Sequence, residues 1–343
     1  MPMARMAMAT MAGFTIPSGV AALDRLLGYY KGTGDQAEYT GVGGFPRGRY
    51  TVVWGPEAVG KSSLMARFMG KAQAAGDLVL LIDAENRADA AWMRKQGVNT
   101  ENLLVHRGGI MEDGLQDLIN LMEMVDFVVI DTVHALAPQA ELYDGKKQAR
   151  KMQDNAPMGR QAFALSKFFR VATSRVAASN TGIVLVGQAR DSTVAQTVIK
   201  DLVGGNALRH YATFRIKITK IMDRQKVPRK KIAAPDGTVN EVPVGFLQKI
   251  TLEKTAVNHL EGQSIYVPFL YGLGPDDFES NVMAAVAAGM VTKSGAWYEI
   301  PVSEGDPVRL QGRSNLVDFF REHRAHYEWI MNRLTSPVEG SED

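Results

Sequence analysis

A short glycine-containing stretch holds the residues best suited to bind a phosphate. Residues 55–62 read Gly-Pro-Glu-Ala-Val-Gly-Lys-Ser and fit the pattern G-x-x-x-x-G-K-[ST]. Glycines let the backbone curl so that successive N–H groups point at a triphosphate. Lys61 would then reach the β- and γ-phosphates, and the Ser62 hydroxyl would coordinate Mg²⁺. The stretch predicts a site for ATP with Mg²⁺; the alternative is a glycine-rich turn that binds no nucleotide. The predicted nucleotide contacts are Gly55, Pro56, Glu57, Ala58, Val59, Gly60, Lys61, Ser62 and Ser63.

Three polar residues follow apolar runs elsewhere in the chain. Asp131 ends one run, where it would hold Mg²⁺ together with Ser62 or, alternatively, cap the next helix. Glu85 follows another run and could orient the water that attacks the γ-phosphate; the alternative is a surface glutamate in a loop. Gln188 could sense the γ-phosphate, or be an ordinary polar residue at a strand end. The candidate catalytic residues are therefore Glu85, Gln188 and Lys61.

The apolar runs that carry these residues alternate with helical segments. We expect strands at 50–54, 78–83, 103–106, 127–131 and 182–188, and helices at 62–75, 88–96, 113–124 and 159–179. Near-continuous Val, Ile and Leu runs joined by helices predict an α/β fold with a mostly parallel sheet flanked by helices on both faces. The carboxyl ends of parallel strands share one edge, which would bring the candidate residues together. Two more strands, at 212–221 and 248–255, are expected to form an antiparallel extension.

Two basic or glycine-containing segments are expected to be flexible loops on the same edge. The first covers 144–153 and is strongly basic, and the second covers 190–205 and carries Arg190 and Lys200. Basic loops beside an ATP site would suit the phosphate backbone of a nucleic acid. The alternative is a pair of solvated charged loops.

Composition limits the classes of protein that need to be considered. The chain has 343 residues, of which 45% are hydrophobic and 22% charged, as in globular proteins. The net charge of +2 means that any nucleic-acid surface is a local patch. The absence of cysteine excludes disulfides, thiol nucleophiles and cysteine-ligated zinc. No apolar run reaches the length of a membrane span, and no signal peptide is indicated.

The two ends of the chain differ in composition from the middle. Methionines recur in 1–12, which is expected to be a short helix docked on a neighbouring subunit or a frayed tail. Composition changes again near 274–275, beyond which we expect a helix at 278–288 and a charged helix at 314–334. These features predict a short arm (1–17), a core (18–274), a small C-terminal α+β domain (275–334) and a brief acidic tail (335–343).

The order and spacing of these elements resemble those of the RecA family of recombinases. The resemblance covers about 18–334. Leu-Ile-Asp-Ala-Glu at 81–85 looks like the family's strand with its catalytic glutamate. Met-Gly-Arg at 158–160 resembles the end of the first DNA-binding loop, and Gly-Gly-Asn-Ala-Leu at 204–208 is similar to the signature that closes the second. Gly-Ala-Trp-Tyr at 295–298 matches a motif of the C-terminal domain and, like Gly-Gly-Asn-Ala-Leu, is far more specific than the phosphate loop.

The resemblance implies roles for further residues. Asp89 and Trp92 would contact and stack on adenine. Arg209 and Lys254 would reach the ATP bound to a neighbouring subunit. The residues implied to bind DNA are Met158, Arg160, Arg170, Arg190, Gly204, Gly205 and Asn206 for the single strand, and Lys293 and Arg313 for the duplex.

The chain also departs from the family pattern. The arm before Ser18 is shorter than usual, 29–42 is an unusual insertion, and the acidic tail is brief. Ala256 replaces a second cross-interface lysine, and His210 replaces an interface aromatic.

The resemblance implies an ATP-dependent recombinase that forms a helical filament on single-stranded DNA, pairs it with duplex DNA and hydrolyses ATP when DNA is bound. It also implies a cytoplasmic location at the nucleoid, or in the host cytoplasm for a phage-encoded copy, with no membrane partner. Two other classes stay open: a ring helicase-type motor on the same core, and an ATP-binding regulator of other recombinases.

Overall fold

The structure, a computed structural model, describes residues 14–32, 38–143, 148–149, 159–194, 197–202, 205–222, 227–233, 239–302 and 306–335. Within them the helices are Ala21–Leu26 (α1), Lys61–Ala74 (α2), Ala90–Lys95 (α3), Met111–Leu121 (α4), Gln139–Leu142 (α5), Arg160–Ser179 (α6), Gly205–Tyr211 (α7), Asp277–Ala287 (α8), Arg313–Glu322 (α9) and Arg324–Thr335 (α10). A short 3₁₀ helix covers Val133–Ala135. None of the helices in these ranges is both long and apolar enough to cross a membrane.

The strands of the described residues fall into one large sheet and four small ones. The large sheet contains Tyr50–Gly55 (β5), Val79–Asp83 (β6), Leu104–His106 (β7), Phe127–Asp131 (β8), Gly182–Val194 (β9), Thr197–Leu202 (β10), Phe214–Ile221 (β11), Gly245–Thr255 (β14), Ser264–Leu270 (β15) and Gly274–Pro275 (β16). The small sheets pair Thr15–Ile16 (β1) with Phe45–Pro46 (β4), Tyr30–Lys31 (β2) with Glu38–Tyr39 (β3), Arg229–Ala233 (β12) with Val239–Pro243 (β13), and join Thr292–Ser294 (β17), Trp297–Ile300 (β18) and Val308–Gln311 (β19).

The large sheet has a parallel half and an antiparallel half. Its order is β16-β15-β14-β11-β5-β9-β8-β6-β7, with β10 paired to β9 outside this path. Strands from β11 to β7 are mutually parallel, whereas β14, β15 and β16 continue the sheet in antiparallel pairs. The predicted α/β fold with a mostly parallel core is therefore confirmed. The expected antiparallel extension begins one strand later than predicted, because β11 lies parallel to β5.

Apolar side chains alternate between the two faces of the sheet and bury both. One face packs under α1 and α2, with Leu64, Phe68 and Val129 among its buried residues. The other packs under α4 and α6, with Ile130 and Phe169 among its buried residues. Burial on both faces explains the near-continuous apolar runs in the sequence.

A third core belongs to the C-terminal part of the chain. Its buried residues include Val282, Tyr298 and Phe320, from α8, β18 and α9. This unit contacts the large core through α8, where Asn281 accepts a hydrogen bond from the Ala21 amide (3.1 Å) and Asp277 pairs with Arg67 (3.1 Å). The separate core agrees with a small α+β unit after β16.

Two local expectations differ from the structure. The charged helix expected at 314–334 is two helices, α9 and α10, which meet at His323. The segment expected to be a flexible loop at 190–205 is largely a hairpin of β9 and β10, with Val194 paired to Thr197. Between β11 and β14 the chain also forms the antiparallel β12–β13 pair. The unusual insertion at 29–42 includes the β2–β3 pair, and its residues 33–37 lie outside the described ranges.

Candidate functional site

The phosphate loop, residues 55–62, connects β5 to α2. Every residue of β5 is buried, and α2 begins at Lys61, directly after the loop glycine Gly60. Gly60 has φ +84°, and a Cβ atom there would lie 2.6 Å from the Phe269 ring. Both the left-handed backbone and the close ring require glycine at this position. The loop therefore leads into the amino end of α2, and the N–H groups at a helix amino end are suited to bind a phosphate.

Lys61 is buried at the base of the phosphate loop. Its Nζ donates hydrogen bonds to the carbonyl oxygens of Gly55 (2.9 Å) and Pro56 (2.6 Å). Burial lowers the pKa of Lys61, and the carboxylates of Asp131, Glu85 and Glu57 oppose that change. The ammonium is thus held by neutral carbonyls beside three carboxylates, and a phosphate would provide a stronger, charged acceptor.

Ser62 and Asp131, the predicted Mg²⁺ ligands, lie in contact with each other. Asp131 ends β8, and the Ser62 hydroxyl hydrogen-bonds its carboxylate. Burial raises the pKa of Asp131, as do the neighbouring Glu85 and Asp83, whereas the Ser62 hydrogen bond and Lys61 oppose the shift. A carboxylate that is costly to bury is well suited to a divalent cation, and oxygen donors are those that Mg²⁺ prefers.

No group of three or more His, Asp or Glu side chains in the described ranges is arranged to hold a metal by itself. Ser62 and Asp131 supply oxygen donors that fit a Mg²⁺ ion, and the oxygens of nucleotide phosphates would complete its coordination.

Glu85 is surrounded by hydrogen-bond donors. Its Oε1 accepts from the Thr132 hydroxyl (2.7 Å) and from the Gln188 amide nitrogen (2.9 Å). Its Oε2 pairs with the Arg87 guanidinium (3.0 Å), a side chain that is 81% exposed. The structure thus brings the two predicted catalytic residues Glu85 and Gln188 into direct contact. Arg87 was not among the predicted site residues.

The turn that presents Glu85 is fixed by Asp83. This buried carboxylate ends β6 and accepts hydrogen bonds from the backbone N–H groups of Arg87 (3.1 Å) and Ala88 (3.0 Å). These two hydrogen bonds span Glu85, so they hold the turn that carries it. Asp83 also lies 4.0 Å from the guanidinium of Arg107. The sequence alone identified Asp83 only as the end of a strand.

Gln188 connects the site to the β9–β10 hairpin. Its backbone N–H donates to Nδ1 of His134 (3.0 Å), and its side chain contacts Glu85. Strand β9 continues without interruption from Gln188 to Val194, which pairs with Thr197 of β10. A change at the Gln188 side chain can therefore be transmitted along one continuous strand.

A cavity of about 180 Å³ adjoins these groups. It is lined by Ser62, Met65, Ala66, Met69, Leu81, Asp83, Glu85, Arg87, Ala88, Asp89, Trp92, Met93, Val129 and Asp131. Asp89 caps α3 by accepting a hydrogen bond from the Trp92 N–H (2.6 Å). Asp89 and Trp92 thus lie on the same side of the site as Glu85, where the sequence resemblance places the adenine contacts.

Two buried tethers support the phosphate loop, and sequence reasoning missed both. The fully buried Gln248 on β14 donates its side-chain amide to the Val59 carbonyl (2.5 Å). Trp54, next to the loop on β5, donates its indole N–H to Glu253 (2.9 Å). Only the parallel and antiparallel pairing of β5, β11 and β14 brings these distant positions together, so no local signal identifies them.

The predicted DNA-binding residues are scattered over several elements. Arg160 and Arg170 are exposed on α6, and Arg190, Gly205 and Asn206 lie in β9 and α7. Met158 and Gly204 lie outside the described residues. Lys293 is exposed on β17, with its ammonium 5.8 Å from the Tyr298 ring centre. Arg313 begins α9 and pairs with Glu279 (2.8 Å).

The two residues expected to act across a subunit interface contact each other. Lys254 Nζ donates to the backbone carbonyls of Arg209 (2.8 Å) and His210 (3.0 Å), in the last turn of α7. Burial lowers the pKa of Lys254, as does nearby Arg215, while Glu261 opposes the change. In the single chain, Lys254 thus holds the carboxyl end of α7.

Together these residues can bind a triphosphate and direct a water molecule at it. Lys61 and the amino end of α2 would hold the phosphates, Ser62 and Asp131 the cation, and Glu85 would accept a proton from water. The geometry is that of a nucleotide hydrolase with a polar link to a neighbouring hairpin.

Comparison with known proteins agrees with this geometry. The family model described as the RecA N-terminal domain matches residues 30–240. The chain is 32% identical over 324 residues to "Protein RecA" of Desulforapulum autotrophicum, which covers 93% of this chain and 82% of the relative. It is 32% identical over 323 residues to "Protein RecA 1" of Myxococcus xanthus, covering 93% and 83%. It is also 32% identical over 311 residues to "Protein RecA" of Syntrophus aciditrophicus, covering 90% and 80%.

Proposed function

The chain belongs to the RecA family of DNA-dependent ATPases that act in recombination, and we propose that it forms a helical filament on single-stranded DNA and catalyses homologous pairing and strand exchange. The observation that carries this proposal is the hydrogen bond between Gln188 and Glu85. It joins the residue that would activate water to the strand that continues into the β9–β10 hairpin, the second predicted DNA segment. One contact would thus link nucleotide chemistry to the hairpin that we propose binds DNA.

The nucleotide step is assigned to residues of the phosphate-loop site. Lys61 would bind the β- and γ-phosphate oxygens once it exchanges the carbonyls of Gly55 and Pro56 for them. Ser62 and Asp131 would hold Mg²⁺, which neutralises phosphate charge when bound. Glu85 would take the proton of the attacking water, and Trp92 would stack on adenine above the capping residue Asp89.

Gln188 is assigned the role of γ-phosphate sensor. With its amide on Glu85, it both occupies the carboxylate and holds the start of the hairpin. A γ-phosphate would offer the amide a charged acceptor and would draw it away from Glu85. Two events would then occur together: Glu85 would become available to the attacking water, and the hairpin would change its position on DNA.

Assembly would follow from a head-to-tail interface that does not close into a ring. Arg209 and Lys254 would reach the ATP of the neighbouring subunit, so nucleotide would bridge adjacent copies. Single-stranded DNA would lie along the segments that contain Arg160, Arg170 and Arg190. Duplex DNA would meet the C-terminal unit at Lys293 and, after release from Glu279, at Arg313.

Sequence would be read by base pairing, because contacts to phosphates carry no sequence information. Hydrolysis would remove the bridging phosphate and loosen the filament. We place this activity in the cytoplasm with the nucleoid, or in the host cytoplasm for a phage-encoded copy.

The test is ATP hydrolysis by the purified protein with and without single-stranded DNA, measured beside homologous strand pairing and electron microscopy of the same mixtures. Filaments, DNA stimulation and pairing together would support the proposal. Closed rings that hydrolyse ATP without pairing would indicate a motor. ATP binding with neither hydrolysis nor pairing would indicate a regulator and would overturn the proposal.

A further inference from the structure

One face of α6 is basic along its whole length. The helix has 20 residues, none of them acidic. At about 100° per residue, its exposed cations Arg160, Lys167, Arg170 and Arg175 fall on one side. A stripe of positive charge with no acidic partner on its own helix favours a polyanion as its ligand.

An aromatic side chain interrupts this stripe. Phe163 is 60% exposed, one turn after Arg160, whereas Phe168 and Phe169 on the opposite side of the helix are buried. The amphipathic pattern of α6 therefore does not explain Phe163, which faces water among cations. Val171 is the other large apolar residue of the stripe and is 49% exposed.

Phe163 lines a groove of about 680 Å³ between α6 and α7. The other lining residues are Ser166, Arg170, Ala207, His210 and Tyr211. The groove has a rigid floor, because the Tyr211 ring stacks on Phe169 with centroids 4.8 Å apart and planes 8° apart. Phe169 in turn packs edge-on against Tyr50 of β5, at 4.9 Å. The walls are thus held in place by the core of the sheet.

We propose that Phe163 is a stacking platform for one base of single-stranded DNA, while the cations of α6 hold the flanking phosphates. The groove meets both requirements of sequence-independent single-strand binding, namely a positive path and an aromatic face. The bases of a duplex are stacked on one another and could not stack on the Phe163 ring. The inference rests on the proposed function and adds a specific base contact to it.

Ser166 lies beside Phe163 in the wall of the groove. Its hydroxyl already donates to the Ala162 carbonyl (2.7 Å), so the groove wall beside Phe163 offers no spare side-chain donor from this residue. His210 and Arg170 lie at the groove as well and can contact phosphate oxygens at either side of a stacked base.

The test compares a short oligothymidylate with the same strand carrying abasic sites, each titrated with the full chain and a slowly hydrolysed ATP analogue. Phe163→Ala should bind the normal strand about fivefold to a hundredfold more weakly than the parent protein. On the abasic strand the two proteins should bind alike, since there is no base to stack. Phe163→Tyr should restore binding of the normal strand.

Two matched variants separate stacking from its alternatives. Val171→Ala removes exposed apolar surface from the same stripe. It should leave the affinity for both strands close to that of the parent. Arg170→Ala should weaken binding of both strands and reduce the salt dependence of binding by about one phosphate contact. Phe163→Ala should leave that salt dependence unchanged.

The inference is overturned if Phe163→Ala binds the normal strand as well as the parent does, or loses affinity equally on the abasic strand. Altered self-assembly of Phe163→Ala without DNA would instead make Phe163 an interface residue between copies. If the parent protein itself fails to bind either strand with the ATP analogue, the proposed function fails and the base platform fails with it.

Discussion

The side-chain amide of Gln188 donates a hydrogen bond to Oε1 of Glu85, with nitrogen and oxygen 2.9 Å apart. The two residues are separated by 103 positions. Glu85 lies in the turn after β6 and Gln188 lies within β9, and β8 runs between these two strands. Thr132, directly after β8, completes the bridge by donating to the same oxygen (2.7 Å). Residues from three segments of the sheet therefore converge on one carboxylate oxygen.

Gln188→Ala tests whether this contact transmits the DNA signal. We expect the ratio of ATP hydrolysis with single-stranded DNA to hydrolysis without it to fall toward one, because alanine cannot join nucleotide and hairpin. The control is Gln116→Ala, whose exposed side chain hydrogen-bonds Asn120 on α4. A Gln188→Ala variant that keeps the parent's stimulation ratio would contradict the assignment.

Glu85→Ala tests the water-activating role. Removing a general base slows a reaction by about 10²- to 10⁴-fold, so ATP hydrolysis should fall by that factor. Filaments should still form with ATP but should dissolve slowly, because the bridging phosphate persists. The measurement is light scattering after dilution, with the exposed Glu123→Ala as control. Rapid disassembly of Glu85→Ala would contradict the role.

Much of this site could be predicted because its signals are local. The phosphate loop is a contiguous string, and Asp131 and Glu85 follow strands whose apolar runs are unambiguous. The rule that parallel strands end at one edge then brings them together without a structure. The rule does not give side-chain orientation, and the contacts of Glu85 Oε1 depend on the side-chain rotamers of Glu85, Thr132 and Gln188.

Other features depend on contacts between distant segments. Gln248 reaches Val59 across 189 positions, and a glutamine in an apolar strand gives no sign of its partner. The division of the expected 314–334 helix at His323 has no proline or glycine to mark it. The strands at 190–194 and 197–202 pair with each other, whereas the sequence of this segment predicted a flexible loop.

Lys61→Met tests the buried ammonium. The variant loses two hydrogen bonds but no longer buries a charge, and these two effects offset each other. Without nucleotide, its free energy of unfolding should therefore stay within about 1 kcal/mol of the parent's. The rise in melting temperature that Mg²⁺ and ATP give the parent should vanish, because that rise requires binding. Lys71→Met, exposed near the end of α2, should keep the rise. A ligand-induced rise in Lys61→Met would contradict its role.

Asp24 lies outside the nucleotide site, and its raised pKa should make the stability of the fold depend on pH. Its carboxylate accepts a hydrogen bond from the Ser18 N–H (2.6 Å), and burial raises its pKa from 3.8 to about 6. Between these values the folded state binds more protons than the unfolded state, so stability should fall as pH rises through the window. The unfavourable contribution is then complete above about pH 6.

Asp24→Asn removes this dependence and keeps an oxygen that accepts from Ser18. At pH 8 the variant should be more stable than the parent by about 1–3 kcal/mol, and near pH 4 the two should be similar. Urea unfolding at both pH values measures the difference. The exposed Asp113→Asn should show no such trend. Equal effects of Asp24→Asn at both pH values would contradict the assignment.

Lys254 connects the carboxyl end of α7 to β14. Its ammonium donates to the carbonyls of Arg209 and His210, where a helix carries partial negative charge. If Lys254 also reaches the ATP of a neighbouring subunit, it must leave these carbonyls, and α7 loses its cap on assembly. Because α7 follows the second DNA segment directly, ATP across the interface would loosen the anchor of that segment.

Lys254→Met separates the cap from the interface role. In the unassembled chain, hydrogen exchange of the α7 amides should accelerate. The free energy of global unfolding should change by no more than about 1 kcal/mol. With ATP and single-stranded DNA the parent should show the same acceleration, because its own lysine has moved to phosphate. Lys249→Met, on the same strand but without a described contact to α7, should change neither result. Protection of α7 that stays high in the assembled parent would show that Lys254 remains on its own helix, and the cross-interface role would then fall to other residues.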